Sequence, residues 1–205
     1  MGGSDLFTGT LDLLILGIIG MTQEFRHKTA VPTFPNATYH VSRAEYETAM
    51  NPNERTAASY FARNFQPLEA AGVLEWAEDG SEVAPGIRVF ATPGHTLHHL
   101  AVSVDDGAGR RIVFLGDLVP TAHHLPNPWV MAYDLFPLTT LETKQRLLPE
   151  LHDQECLCAF VHDAERPLAY LAATDRPGRF RADPERDPWL ESKSAIHTNG
   201  EENHR

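Results

Sequence analysis

Three predicted strands that each end in a histidine or an aspartate constrain the fold of this chain more than any other feature of its sequence. The first strand reaches His95 through Pro93-Gly94, a pair that predicts a sharp turn and leaves the histidine little freedom. The second strand ends at Asp117 and the third at His162. Because strands are rigid and their ends can face one cleft, this pattern predicts a metal site assembled from distant parts of the chain.

The motifs around these strand ends resemble those of a known enzyme family. Thr92-Pro-Gly-His-Thr96, Phe114-Leu-Gly-Asp117 and a later strand ending in histidine occur in the order seen in metallo-β-lactamase-fold hydrolases of the lactonase-like branch. The resemblance extends from about Thr22 to about Asp183. It implies an α/β fold, an α+β sandwich of the metallo-β-lactamase αββα type, with a mixed sheet and outer helices.

The resemblance also implies roles for particular residues. His95 would ligate one zinc ion, Asp117 would bridge two ions as the catalytic carboxylate, and His162 would ligate the second ion. His99 stands where the family often has another histidine, which implies a supporting role behind the ligands. The implied reaction is zinc-dependent hydrolysis of a small-molecule lactone or another ester-like bond.

One family motif does not occur in the 205 residues. The first metal motif, His-x-His-x-Asp-His after an apolar strand, is absent, and after Leu11-Asp-Leu-Leu-Ile-Leu16 the chain reads Gly-Ile-Ile-Gly-Met-Thr. We therefore expect an incomplete, truncated form of the fold that holds at most one zinc ion, weakly bound. His27, His123 and His124 are the candidate substitute ligands.

The two ends of the chain predict segments of a different kind. Residues 4–19 resemble the first helix of PadR-type transcription regulators, but the same apolar run also fits an orphan hydrolase strand, so residues 1–20 are a leader helix or that strand. Residues 21–183 are predicted to form the metallo-β-lactamase-like domain, the C-terminal two-thirds of the family fold. Residues 184–205 are charged and aperiodic, which predicts a disordered tail.

A long loop containing several prolines follows Asp117. It carries Trp129, Met131 and Tyr133, and a loop directly after a site strand is a natural wall for a substrate pocket. The alternative is that these side chains cover the core, and the sequence leaves both interpretations open.

The acidic balance of the chain limits its partners. A formal net charge of −11 at pH 7 argues against binding to nucleic acid or to an anionic membrane, since both depend on Lys and Arg. Cys156 and Cys158 lie two positions apart on a predicted strand, where neighbours do not normally pair, which favours a reducing cytoplasm. Self-association would occur through a sheet edge left exposed by the missing part of the fold.

The favoured interpretation is a protein descended from a zinc-dependent hydrolase of lactone or ester-like bonds, although the absent motif counts against retained activity. The alternative is a non-catalytic remnant or interaction domain. A PadR-like regulator is the third interpretation, and it depends only on residues 4–19 and conflicts with the negative charge.

Overall fold

The structure is a computed structural model that describes Pro32, Phe34 and residues 36–186. The chain forms two compact units, one up to Val83 and the other from Ala84 onwards. The predicted leader and most of the predicted tail lie outside the described residues, so both remain predictions. Among the residues that the structure describes, none of the helices has the length and apolarity that a bilayer crossing needs.

The first unit contains two paired strands and two helices. Its elements are β1 (Tyr39–Val41), α1 (Arg43–Met50), α2 (Gln66–Ala70) and β2 (Leu74–Trp76), and β1 pairs in parallel with β2. The spacing of Ser42 and Glu45 predicts a helix start, and Ser42 does cap α1, because its hydroxyl accepts the backbone N–H of Glu45 at 3.3 Å. Inside the unit, the buried ring of Tyr46 packs edge-on against Phe65 and Trp76.

The sequence also predicts a helical segment from Pro52 to Phe65, and this prediction is wrong. Turns occupy half of the segment, and Ala62–Asn64 forms a 3-10 helix. The side chain of Asn53 accepts the backbone N–H groups of Arg55 and Thr56, a local turn that competes with helix formation.

The second unit is organised around a mixed sheet. In spatial order the strands of the sheet are β3 (Glu82–Ala84), at whose last residue the second unit begins, β4 (Ile87–Ala91), β5 (Leu100–Asp105), β6 (Arg111–Phe114), β7 (Leu157–Ala159) and β8 (Leu168–Ala169). Strands β4, β5 and β6 pair antiparallel, β6 and β7 pair parallel, and β7 and β8 pair antiparallel. A separate antiparallel pair, β9 (Leu171–Ala173) and β10 (Phe180–Ala182), follows. The predicted α/β fold with a mixed sheet is confirmed.

The long helix α3 (Pro137–Asp153) lies in the chain between the parallel strands β6 and β7, which require a crossover connection. Leu147, Leu148 and Leu151 are buried with residues of these strands in one apolar cluster. The sequence predicts a helix from Leu141 to Leu148 with Thr140 as its cap, and this start is wrong. The helix begins at Pro137, a residue suited to a first turn, and the Thr140 hydroxyl donates to Asp134 instead of capping the helix.

The two cysteines are buried and free, and they flank the residue that begins β7. Burial raises the pKa of the Cys156 thiol and of the Cys158 thiol. Both thiols are therefore protonated near neutral pH and behave as small core residues.

Candidate metal centre

A tight turn after β4 holds His95. Thr92 donates its backbone N–H to the carbonyl of His99 at 2.9 Å and closes the turn. Gly94 has a φ of +147°, and a Cβ at this position would lie 2.7 Å from the backbone nitrogen of Thr140 in α3. Glycine therefore lets the turn pack directly against the helix, which fixes where the His95 backbone lies.

Asp117 follows β6 through a second glycine that the site requires. Gly116 has a φ of +53°, and a Cβ there would lie 2.6 Å from Nε2 of His99. This Nε2 accepts the backbone N–H of Asp117 at 3.2 Å, so Nδ1 of the same ring carries the proton and donates to Oγ1 of Thr92 at 2.7 Å. His99 thus ties the two strand ends together, and both of its ring nitrogens are occupied in doing so.

His162 is held by its own backbone and by the residue after it. Its N–H donates to the carbonyl of Pro120 at 2.9 Å. The carboxylate of Asp163 accepts the backbone N–H groups of Ala122 at 2.9 Å and of Arg166 at 2.8 Å. Burial alone would raise the pKa of Asp163, but these hydrogen bonds outweigh it and lower the pKa. Asp163 is therefore an ionised anchor for the loops on both sides of His162.

The three predicted ligands meet at the Asp117 carboxylate. Nε2 of His95 lies 3.5 Å from Oδ2, and Nε2 of His162 lies 3.1 Å from Oδ1. Two donors at about 2.0–2.1 Å from one tetrahedral zinc ion lie about 3.3 Å apart, so both separations suit pairs of ligands. Oδ1 of Asp117 is also buried without a hydrogen-bond partner among the described residues. A buried carboxylate oxygen that lacks a donor is a place where a cation fits.

Asp134 belongs to the same group, although no motif in the sequence points to it. Its side chain is 1% exposed, its Oδ1 lies 3.0 Å from Nδ1 of His95, and its Oδ2 accepts the hydroxyl of Thr140 at 2.9 Å. Because a carboxylate only accepts, Nδ1 of His95 carries the proton, and Nε2 is the nitrogen that faces Asp117. A carboxylate on Nδ1 orients the ring in this way in many metal sites, where Nε2 is the metal-binding nitrogen.

The number of described ligands is smaller than in a complete site. Each oxygen of Asp117 is approached by one histidine, and the described part of the chain contains no group of three or more His, Cys, Asp or Glu side chains arranged to hold one ion. Catalytic zinc sites have three protein ligands. The donors therefore fit zinc in kind and in spacing, but not in number.

The remaining candidate ligands lie elsewhere or outside the described residues. His27 is outside them. His123 is exposed, and Nδ1 of His124 lies 2.8 Å from Oγ1 of Thr121 in the same loop. Burial, and then the positive charge of Lys144, lower the pKa of His124, so its ring is neutral near pH 7. The structure thus brings together His95, Asp117 and His162 and gives His124 a different partner.

The predicted pocket residues lie in the loop that follows Asp117. Trp129 is 58% exposed, Tyr133 is 79% exposed, and Met131 is partly buried. The alternative that these side chains cover the core is therefore wrong for the two aromatic residues. Their role in a substrate pocket remains a prediction.

The class of protein is an α/β domain with a mixed sheet, in which residues after three strand ends bring two histidines to one aspartate. The sequence profile of the metallo-beta-lactamase superfamily matches residues 27–162, which is more than half of the chain. The chain belongs to the metallo-beta-lactamase superfamily.

Particular relatives are lactonases and hydrolases. The N-acyl homoserine lactonase AttM of Agrobacterium fabrum is 24% identical over 143 residues, which cover 68% of this chain and 54% of AttM. A probable metal-dependent hydrolase from Staphylococcus aureus has a TM-score of 0.63 and 26% identity, covering 74% of this chain and 54% of its own. AidC, a dizinc quorum-quenching lactonase in complex with a product, has a TM-score of 0.63 at 19% identity, with coverage of 74% and 55%, and shows the fold alone. The chain spans about half the length of these relatives.

Proposed function

We propose that this chain is a lactonase-like metallo-β-lactamase domain that carries part of a zinc centre. His95, Asp117 and His162 would hold the metal, and we expect at most one zinc ion per chain, weakly bound. The observation that supports this proposal is the approach of one histidine nitrogen to each oxygen of Asp117, at 3.5 Å and 3.1 Å. Each oxygen then has one histidine beside it, fewer donors than a tightly held catalytic ion requires.

When bound in such a centre, zinc supplies a water molecule of near-neutral pKa and polarises a carbonyl oxygen. The residues of this chain have separate tasks around that chemistry. Asp117 is the carboxylate at the centre of the group, placed to bind the metal and to hold a proton. Asp134 keeps the proton of His95 on Nδ1, so that the lone pair of Nε2 stays available to bind a metal ion. His99 fixes the backbone of Asp117 through its N–H.

The proposed substrate is a small molecule with a lactone or ester-like bond. This proposal is supported by the superfamily match and by relatives described as lactonases, and the exposed Trp129 and Tyr133 offer apolar surface beside the site loop. With the described ligands alone we expect hydrolysis close to the uncatalysed rate. The absence of nucleic-acid and membrane binding, self-association through a sheet edge and a cytoplasmic location remain predictions from the sequence.

A non-catalytic interaction domain is the second candidate function. The observation that favours it is the lack of a complete ion-binding group among the residues that the structure describes. The two candidates differ in zinc content, because an interaction domain of this kind would hold no zinc at micromolar concentrations. The PadR-like regulator depends on residues 4–19, which lie outside the described part.

Zinc content and its dependence on Asp117 test the proposal. We expect the purified chain to hold about one zinc ion or less by atomic emission, and Asp117→Ala to abolish that binding, since it removes the only carboxylate among the three proposed ligands. Asp153→Ala, which removes an exposed carboxylate at the end of α3, is the matched control and should leave zinc content unchanged. Two tightly held zinc ions, with lactone turnover that depends on Asp117 and His162, would overturn the proposal.

A further inference from the structure

The side chain of Lys144 in α3 is completely buried, and its ammonium group contacts one short stretch of loop. Nζ donates to the backbone carbonyls of His124 at 2.5 Å, Trp129 at 2.8 Å, Pro126 at 3.0 Å and Asn127 at 3.4 Å. Four carbonyls from a stretch of six residues therefore surround one positive charge. None of the residues proposed to bind metal takes part in this arrangement.

The loop has few other ways to satisfy these carbonyls. It contains Pro126 and Pro128, which have no N–H, and within it the backbone N–H of Trp129 donates to the carbonyl of Pro126 at 2.9 Å. Buried carbonyls without donors are costly, so a conformation with several of them turned inward requires an internal donor. An ammonium group has three hydrogens and accepts nothing, which suits a ring of carbonyl oxygens.

A buried residue of opposite charge, Asp134, precedes the helix that carries Lys144. Asp134 and Lys144 are the two buried residues with charged side chains among the described residues. Burial lowers the pKa of Lys144 to about 8, and the negative charge of Asp134 opposes this shift. Asp134 contacts His95, while Lys144 contacts the loop, so the two buried charges face the metal-ligand group and the predicted pocket wall respectively.

We propose that Lys144 is a positioning residue whose buried ammonium group fixes the backbone of residues 124–129 and, through it, the placement of Trp129. The fixing of the loop follows from the four contacts alone. Its consequence, that Lys144 sets which acyl or alkyl groups the pocket accepts, rests on the proposed function. The two parts can therefore fail separately.

The loop can be followed without any measurement of activity. No Lys or Arg occurs between Arg111 and Lys144, so trypsin has no site in the loop, whereas chymotrypsin can cut after Trp129 and Tyr133. In Lys144→Met, which keeps the apolar stem and removes the charge, we expect cleavage in native buffer to rise by about tenfold or more, since cleavage reports local opening. Acrylamide quenching of Trp129, in a background with Trp76 and Trp189 replaced by Phe, should rise as well.

Thr143→Val is the matched control for a general loss of stability. Thr143 is the buried neighbour of Lys144, and its hydroxyl donates to the carbonyl of Pro93 at 2.7 Å, in a different segment. When this variant and the parent protein are each digested at the same interval below their own melting temperatures, cleavage after Trp129 should be equal. Equal cleavage in Lys144→Met and the parent protein would overturn the proposal.

Chemical rescue separates the charge from the volume of the side chain and covers the case in which Lys144→Met does not fold. Lys144→Ala, refolded with methylammonium, should regain protection of the loop, because methylammonium supplies N–H donors to the carbonyls. Tetramethylammonium has the same charge and no N–H donor, and it should not rescue. Equal rescue by both cations, or by neither, would overturn the role assigned to the ammonium group.

Ligand binding tests the second part of the proposal, that Lys144 sets which acyl groups the pocket accepts. N-acyl homoserine lactones of increasing acyl length should show altered relative affinity in Lys144→Met by calorimetry, with zinc content unchanged. Unchanged selectivity together with a loosened loop would refute the pocket-wall role and leave the loop role standing. The zinc content of Asp117→Ala does not change either of these two results for Lys144→Met.

Discussion

Replacing Asp134 by alanine should release the ring of His95 while leaving its backbone in place. The neighbouring residues Leu135 and Phe136 donate backbone N–H groups to the carbonyls of His95 and Gly94, both at 3.0 Å, and these bonds do not involve the carboxylate. Among the described residues, the side chain of Asp134 hydrogen-bonds to Nδ1 of His95 and to the hydroxyl of Thr140. The variant therefore isolates the orientation of the imidazole.

The size of the effect follows from those two contacts. Hydrogen bonds to a charged group each contribute about 1.5–3 kcal/mol to stability. The Thr140 hydroxyl has a second acceptor in the carbonyl of Phe136 at 3.3 Å, and the His95 side chain is 21% exposed, so water can replace part of the loss. We expect Asp134→Ala to lower the free energy of unfolding by about 2 kcal/mol and the affinity for zinc by about 10–100-fold.

Urea denaturation, zinc competition with a chelator and ¹⁵N NMR of the histidine ring measure these three consequences. In the parent protein the NMR signals should show His95 protonated at Nδ1, and in Asp134→Ala a mixture of both neutral tautomers. Asp134→Asn keeps an oxygen for Nδ1 and should retain the tautomer. Thr140→Val should lower stability without changing the tautomer. An unchanged tautomer in Asp134→Ala would refute the argument, even if stability falls.

Two further predictions concern a glycine and a buried lysine. Gly116→Ala should lower the free energy of unfolding by about 1–3 kcal/mol, because it places a side chain at a positive φ and against the His99 ring. Gly107 has a φ of +71° and no atom within 4 Å of a Cβ, so Gly107→Ala should lower the free energy of unfolding by less in the same urea titration. Equal decreases in the two variants would contradict the contact with His99. For Lys144, the folded chain with a pKa of about 8 binds fewer protons than the unfolded chain between pH 8 and 10.5. The free energy of unfolding should therefore rise with pH in this window relative to Lys144→Met, and a pH-independent difference would count against the buried charge.

Local pattern was sufficient for the hairpin of β5 and β6 and for the residues that follow the ends of the three site strands. The alternating residues of β5, the turn after Asp105 and the apolar run of β6 predict a hairpin, and the structure pairs these strands antiparallel. The turn glycines before His95 and Asp117 are likewise visible in the sequence, and both have positive φ. These features depend on neighbours within a few residues, which is the range over which a sequence pattern carries information.

Errors arose where a distant contact decided the local structure. Thr140 looked like a helix cap because of its position before an apolar run, but its hydroxyl bonds to Asp134, and the helix starts one turn earlier. Strand β10 alternates between buried and exposed residues, but three residues are too few for this pattern to predict a strand, and β10 forms by pairing with β9. In each case the pairing partner, rather than intrinsic propensity, determined the conformation.

The sequence by itself determined the family resemblance, the mixed sheet and the residues expected at its edge, His95, Asp117 and His162. Only the tertiary structure decided what surrounds them. Asp134 is 39 residues from His95 along the chain, so no spacing rule connects the two. Lys144 reads as a polar, outward-facing helix residue, yet it is buried because the carbonyls of another segment replace its water. Charged side chains enter a core only with such partners, and these partners come together only when the chain has folded.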